Sequence, residues 1–137
     1  ETSSLIESAI GHKLDCMYRG RDDYLVSLKS EIQIINLKPD FSKLKEINAR
    51  GLIVTAPGDN CDFVSRCFFP STGVDEDPVT GSAHTSLVPF WAEITGEKKF
   101  KAKQLSSRGG KLICELEGSR VLIGGKALEY MKGTINI

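Results

Sequence analysis

The densest run of groups able to do chemistry is Asp75-Glu76-Asp77-Pro78-Val79-Thr80-Gly81-Ser82-Ala83-His84. Three carboxylates lead into a proline. A Thr-Gly-Ser trio then opens an apolar segment, Thr85 to Thr95, long enough for a helix of about three to four turns. A helix entered through Thr80-Gly81-Ser82 presents unpaired backbone N–H groups and the positive end of its dipole, a combination that favours an anion. Carboxylates beside an anion pocket are unfavourable unless they have a chemical task. Asp77 precedes Pro78, which disfavours α geometry at Asp77 and projects it from extended chain. One carboxylate plus hydroxyl and amide donors can hold a small acid and move a proton next to its carboxylate. The same residues also admit a plainer reading. In it Asp75, Glu76 or Asp77 complements the helix dipole and Thr80 or Ser82 caps the first turn.

Other candidates carry weaker signals. His84 has a side chain suited to proton transfer near neutrality, yet on a helix flank such a residue is more often a packed, hydrogen-bonded histidine. Cys67 sits mid-strand beside Arg66, but strand alternation sends the two to opposite faces, so burial is expected for the thiol. Arg108, in Ser-Ser-Arg-Gly-Gly, either reaches a carboxylate or decorates a turn. The cysteines Cys16, Cys61, Cys67 and Cys114 form no C-x-x-C pair and have no histidine at ligand spacing, so no structural metal site is expected.

These groups must be positioned by a scaffold of short elements. Leu5, Ile6, Ala9 and Ile10 recur at helical spacing behind the hydroxyls of Thr2, Ser3 and Ser4, and Gly11 stops the pattern. Leu14–Tyr18 and Tyr24–Leu28 read as strands, with Glu31–Leu37 extending the second or forming a third. Pro39-Asp40 opens a short helix with Phe41, Leu44 and Ile47 on one face. Gly51–Ala56 and Asp62–Phe69 are strands, the latter with Phe63, Ser65, Cys67 and Phe69 facing opposite to Val64, Arg66 and Phe68. An acidic loop and the central helix follow. Three strands complete the pattern: Lys99–Leu105, Lys111–Leu116 and Arg120–Ile123, the last continuing near Leu128–Ile137. The lysines at 98, 99, 101 and 103 suggest a solvated face near a sheet edge. Ala83, Leu87, Val88, Trp91 and Ile94 give the central helix its period, while Phe90 and Ala92 make the other side apolar too, as for a helix surrounded by protein. Pro89 is expected to kink it. The fold class is therefore α+β, a mostly antiparallel sheet curled around a central helix, in a single domain over residues 1–137.

The chain holds 137 residues with 18 basic and 18 acidic side chains, a net charge of zero that points to neither nucleic acid nor a membrane surface. Residues 97–137 hold nine Lys/Arg against four Glu, leaving nine against fourteen acidic residues in 1–96. There is no signal peptide or long apolar run, and reduced thiols and a cytoplasmic location are expected. The chain starts at Glu1 without an initiator Met, as a processed or excised piece of a longer protein would.

Three segments together resemble the C-terminal half of phenazine-biosynthesis PhzF-like proteins. They are Ser65-Arg66-Cys67-Phe68-Phe69-Pro70, then Glu76-Asp77-Pro78-Val79-Thr80-Gly81-Ser82-Ala83-His84, then Gln104 with Arg108-Gly109-Gly110. The resemblance implies the diaminopimelate-epimerase-like fold, in which two similar halves each curl a sheet around a helix and face one substrate across a cleft. It implies a cofactor-independent isomerase, as in PhzF itself, where proton transfer isomerises a dihydro-hydroxyanthranilate. Residue by residue, Asp77 matches the family's active-site aspartate and Ser82 the serine at the helix start, with Thr80, Gly81 and Ala83 in the same anion-binding turn. The two-thiol racemases of the related families have a cysteine where Pro78 stands here, which disfavours that chemistry. The family's principal base, a glutamate, belongs to the other half, and no second copy of the helix-start motif occurs in this chain. The expected partners are thus a small carboxylic acid and either an N-terminal half-domain or a second copy in a homodimer. The alternative is a non-catalytic small-acid-binding or interaction module, and beyond it a purely structural half-domain.

Overall fold

The computed structural model describes residues 1–137. Its elements run in order α1 (Thr2–Ile10), β1 (Cys16–Arg19), β2 (Asp23–Ser27), α2 (Glu31–Ile35), α3 (Phe41–Lys45), β3 (Gly51–Pro57) and β4 (Phe63–Phe69). A single 3-10 turn, Pro70–Thr72, leads to β5 (Val74–Asp77), followed by α4 (Gly81–Thr95), β6 (Lys99–Gln104), β7 (Gly110–Glu117) and β8 (Arg120–Gly124). All strands join one sheet in the order β1-β2-β3-β4-β6-β7-β8, with β5 also paired to β4. The β2–β3 and β4–β6 pairs are parallel and the other five antiparallel.

Alternation in the central strands splits the core in two. Val26, Leu52, Val54, Val64 and Phe68 pack on one face beneath α1, α2 and α3. Leu25, Ile53, Phe63, Cys67 and Phe69 pack on the other against Ala83, Leu87, Val88 and Trp91 of α4. The sheet closes partly around that helix. Tyr18 of β1 meets Phe90 edge-to-face at 5.4 Å, while Val121 of β8 packs into the same core from the far end. Trp91 lies stacked at 5.8 Å from Phe63 and donates its indole N–H to Thr55 Oγ1 at 3.0 Å, tying helix to sheet with a satisfied polar contact.

Several expectations need correction. Glu31–Leu37 is not a strand, because Ile34 and Leu37 are buried three residues apart whereas Ile32 and Ile35 are exposed, a helical and not an alternating pattern. Residues 75–77 are not a loop but the body of β5. The lysine-bearing strand is no edge: β6 lies between β4 and β7, turning Phe100, Ala102 and Gln104 inward and Lys99 and Lys101 outward. Residues 125–137 form no helix or strand. The central helix is enclosed on one side only, and Ser82, Thr85, Pro89, Glu93 and Ile94 are exposed. Pro89 falls on that exposed side, within a single helix from Gly81 to Thr95.

Gly51 starts β3 where its backbone presses on β4. A Cβ there would strike the Phe69 ring and stand 2.5 Å from the Phe68 carbonyl oxygen. Gly51→Ala is expected to lower stability by about 1–3 kcal/mol in urea denaturation, as overpacking does; a change within experimental error would show that the two strands can part without cost.

Candidate active site

The site is built on one edge of β4. Phe63, Val64 and Ser65 pair along that edge with Ala102, Lys103 and Gln104 of β6, whereas Cys67 and Phe69 pair with Asp77 and Val74 of β5. The end of β6 and the end of β5 consequently meet opposite Arg66. Alternation within β5 then sorts the three carboxylates. Glu76 turns to Arg66, which grips it through Nε (2.7 Å) and Nη2 (2.9 Å) and also donates through Nη1 to the carbonyls of Ile34 and Leu37. Asp75 is exposed. Asp77 alone is directed to the start of α4.

There the N-cap is Thr80, in extended geometry, and no side chain caps the helix. Thr80 Oγ1 instead donates to Asp77 Oδ2 at 2.5 Å. The buried Gln104 accepts the Thr80 N–H through Oε1 at 2.8 Å and donates through Nε2 to the Asp77 carbonyl (2.8 Å) and to Thr80 Oγ1 (3.0 Å). The polar groups of Thr80 are thus used inside the protein. The exposed Gly81 and Ser82 and the buried Ala83 supply the first-turn amides that no side chain caps. Asp77 Oδ1 has no protein partner, and a carboxylate oxygen, unused helix-start amides and the Ser82 hydroxyl occupy one end of α4.

Neighbouring groups complete the surroundings. Arg50 is held in a two-point ion pair by the buried Asp23, lies over the Phe69 ring at 5.3 Å, and approaches Ser82 Oγ with Nη2 at 3.4 Å. Its guanidinium, paired with Asp23, stands beside the helix start. Ser106 donates to the Pro78 carbonyl at 2.7 Å and accepts the Gly109 N–H at 3.0 Å. Gly110 is so close to Val79 that a Cβ would collide with it. The Ser-Ser-Arg-Gly-Gly loop therefore braces Pro78-Val79, and Arg108 within it is exposed and makes no ion pair.

Two further sequence candidates sit at this end of α4 but are buried, Cys67 opposite Asp77 on β4 and His84 in the first turn of the helix. Cys67 is fully buried, and burial pushes its thiol up to about 12, so no thiolate is available near neutral pH. His84 is fully buried, its ring 6.1 Å from that of Phe63, and Nδ1 donates to the Thr80 carbonyl at 2.8 Å while Nε2 has no partner. Gln104, Arg50 and Asp23 received no role from sequence reasoning. The signal for Gln104 was present, since it occupies the inward phase of β6 set by Phe100 and Ala102.

The chain as a whole is similar to known proteins. The family profile for phenazine biosynthesis-like protein (PhzC–PhzF) matches residues 3–133, and the chain belongs to that family. It is 52% identical to an uncharacterized isomerase of Pseudomonas aeruginosa over 116 residues, which are 85% of this chain and 45% of that protein. Among solved structures, a PhzF-family phenazine biosynthesis protein of Enterococcus faecalis superposes with a TM-score of 0.89 at 46% identity, covering 94% of this chain and 50% of the other. A putative PhzC/PhzF phenazine biosynthesis protein of Clostridium difficile gives 0.87 at 44%, covering 100% and 53%. The chain spans about half the length of these relatives. No helix is long and apolar enough to cross a membrane.

Burial lowers the pKa of His84 below its usual 6.5, against a smaller upward pull from its bond to the Thr80 carbonyl. The unfolded chain then binds more protons than the folded one around and below pH 6.5. The stability from burying neutral His84 is complete above that value and is lost as pH falls. Urea denaturation is expected to show stability dropping from about pH 7 to about pH 5.5, by at most ~1.4 kcal/mol per pH unit from this group. His84→Asn, which keeps a side-chain donor for Thr80, should flatten that slope; an unchanged slope would assign it to other groups.

Proposed function

We propose that this chain supplies one wall of a cofactor-independent isomerase site, completed by a second half-domain, that moves a proton on a small cyclic amino or hydroxy acid. Asp77 carries the proton through Oδ1. The exposed amides of Gly81 and Ser82, with the Ser82 hydroxyl, bind the substrate carboxylate or the oxyanion that develops beside it, the buried Ala83 completes the turn, and Thr80 holds Asp77 in place. Preorganised donors of this sort contribute most when charge grows on the atom they face.

The observation that carries this reading is the free Asp77 Oδ1 at the same end of α4 as amides that no side chain caps. Three further facts support it. Cys67 has no thiolate to offer as an alternative proton carrier. The isomerase name of the Pseudomonas aeruginosa relative agrees in reaction class. The chain's share of its relatives, about half, fits a site that needs a second half, from an N-terminal domain or from a second copy. The exposed Met17, Tyr18, Val74, Ile113 and Leu122 supply apolar surface for such an association.

The test is isotope incorporation in deuterated water by the longest natural form of the protein, offered a panel of cyclic amino and hydroxy acids. Asp77→Asn should lower incorporation by about 100-fold or more, the scale of a lost general acid–base group. Glu76→Gln should leave the rate per folded molecule within about threefold, because Glu76 faces Arg66 and not α4. Incorporation that survives Asp77→Asn removes Asp77 from the proton's path. Saturable acid binding with no incorporation by any panel member would mark a binding module.

A further inference from the structure

The hydrogen bonds around Gln104 decide more than the cap of a helix. Its side-chain amide can be oriented in one way only. Oε1 faces the Thr80 N–H, a pure donor, and Nε2 faces the Asp77 carbonyl, a pure acceptor, so an inverted amide would set donor against donor and acceptor against acceptor. With that orientation fixed, Nε2 also donates to Thr80 Oγ1 at 3.0 Å. The Thr80 hydroxyl therefore acts as an acceptor toward Gln104, and its own proton is left for Asp77 Oδ2 at 2.5 Å. Every bond in the chain Gln104–Thr80–Asp77 has a defined direction. Gln104 is fully buried and Thr80 nearly so, which excludes water as a competing partner for either group.

We propose that Gln104 is a positioning residue that, acting through the Thr80 hydroxyl, locks the Asp77 side chain with Oδ2 tied and Oδ1 free as the oxygen that exchanges a proton with substrate. The inference rests on the proposed function for the role of Asp77, though not for the lock itself. Its origin is the division of the β4 edge: Ser65 pairs with Gln104 and Cys67 with Asp77, so the two residues come from strands 27 positions apart in sequence and meet across a two-residue step on β4. A proton-carrying group misplaced by about 1 Å can lose two orders of magnitude in rate, which is the reason a buried, fully bonded support matters here.

Three-bond Hα–Hβ couplings of Asp77, measured by NMR on the chain without any ligand, report whether its χ1 sits in one rotamer. The expected result is single-rotamer couplings in the unaltered chain and their loss to averaged values in Gln104→Met and in Thr80→Val, with Thr80→Ser restoring them. A purely structural role for Gln104 would lower the thermal midpoint and leave Asp77 in one rotamer, and that outcome overturns the proposal. If Gln104→Met does not fold, the unaltered chain decides through the Thr80 hydroxyl proton. Slow exchange and cross-relaxation with the Gln104 side-chain amide uphold the lock, whereas rapid exchange refutes it. Because no substrate is involved, a locked Asp77 in a protein that fails the isotope test would remove the proposed function, and with it the proton-exchanging role of Oδ1, and leave the Gln104–Thr80–Asp77 lock standing.

Discussion

One edge of β4 is divided between two strands, and the position of each group in the candidate site follows from that division. The first half of the edge takes β6 in parallel and the second takes β5 antiparallel. Two strand ends thus converge on one stretch of backbone, and the segment between β5 and α4 is only Pro78-Val79-Thr80. Backbone pairing is insensitive to side-chain chemistry but fixes position to a fraction of an ångström, because each strand's donors and acceptors must be matched along the ladder. The ladder places the helix start, the aspartate and the glutamine within reach of one another, and their side chains bond across that junction.

The same pairing solves the electrostatic problem of three consecutive acidic residues next to the positive end of a helix. Period-2 alternation sends Glu76 to the face where Arg66 waits, and Arg66 is only 13% exposed while making four hydrogen bonds. A partly buried arginine with two carboxylate and two carbonyl contacts is well satisfied, so the pair closes α2 against the sheet and takes one negative charge away from the site. Asp75 keeps its water. A single carboxylate, Asp77, is left at the helix start, and Arg50, paired with Asp23, lies beside Ser82. An excess of carboxylates in the sequence becomes one carboxylate in space.

Much of this was legible from the residues. Alternation in Phe63–Phe69 separated Cys67 from Arg66 correctly, since a period of two needs no tertiary information. The helix after Thr80 was legible from its entry residues and its apolar content. The fate of Glu31–Leu37 was not: its Ile-Gln-Ile-Ile core suits either period, and only the burial of Ile34 and Leu37 against Leu44 and Val54 decides it. Nor could local pattern reveal that β6 is interior, because lysines on a strand report a solvated face and not an unpaired edge. Asp77 and Ser82 were identifiable as candidates from their spacing around the helix start. The support from Gln104 was hidden, since it depends on β4 pairing with two strands at once, a long-range fact that no single segment encodes.

The proposed function requires that the start of α4 bind an anion with Asp77, and not Glu76, at its side. Amide resonances of the chain titrated with 2-aminobenzoate, a cyclic amino acid carboxylate, test this most directly. Saturable shifts are expected at Gly81, Ser82 and Ala83 and at Asp77, with the Arg66–Glu76 region unmoved. Saturable shifts centred on Arg66 and Glu76, or on any surface that excludes Gly81–Ala83, would contradict it.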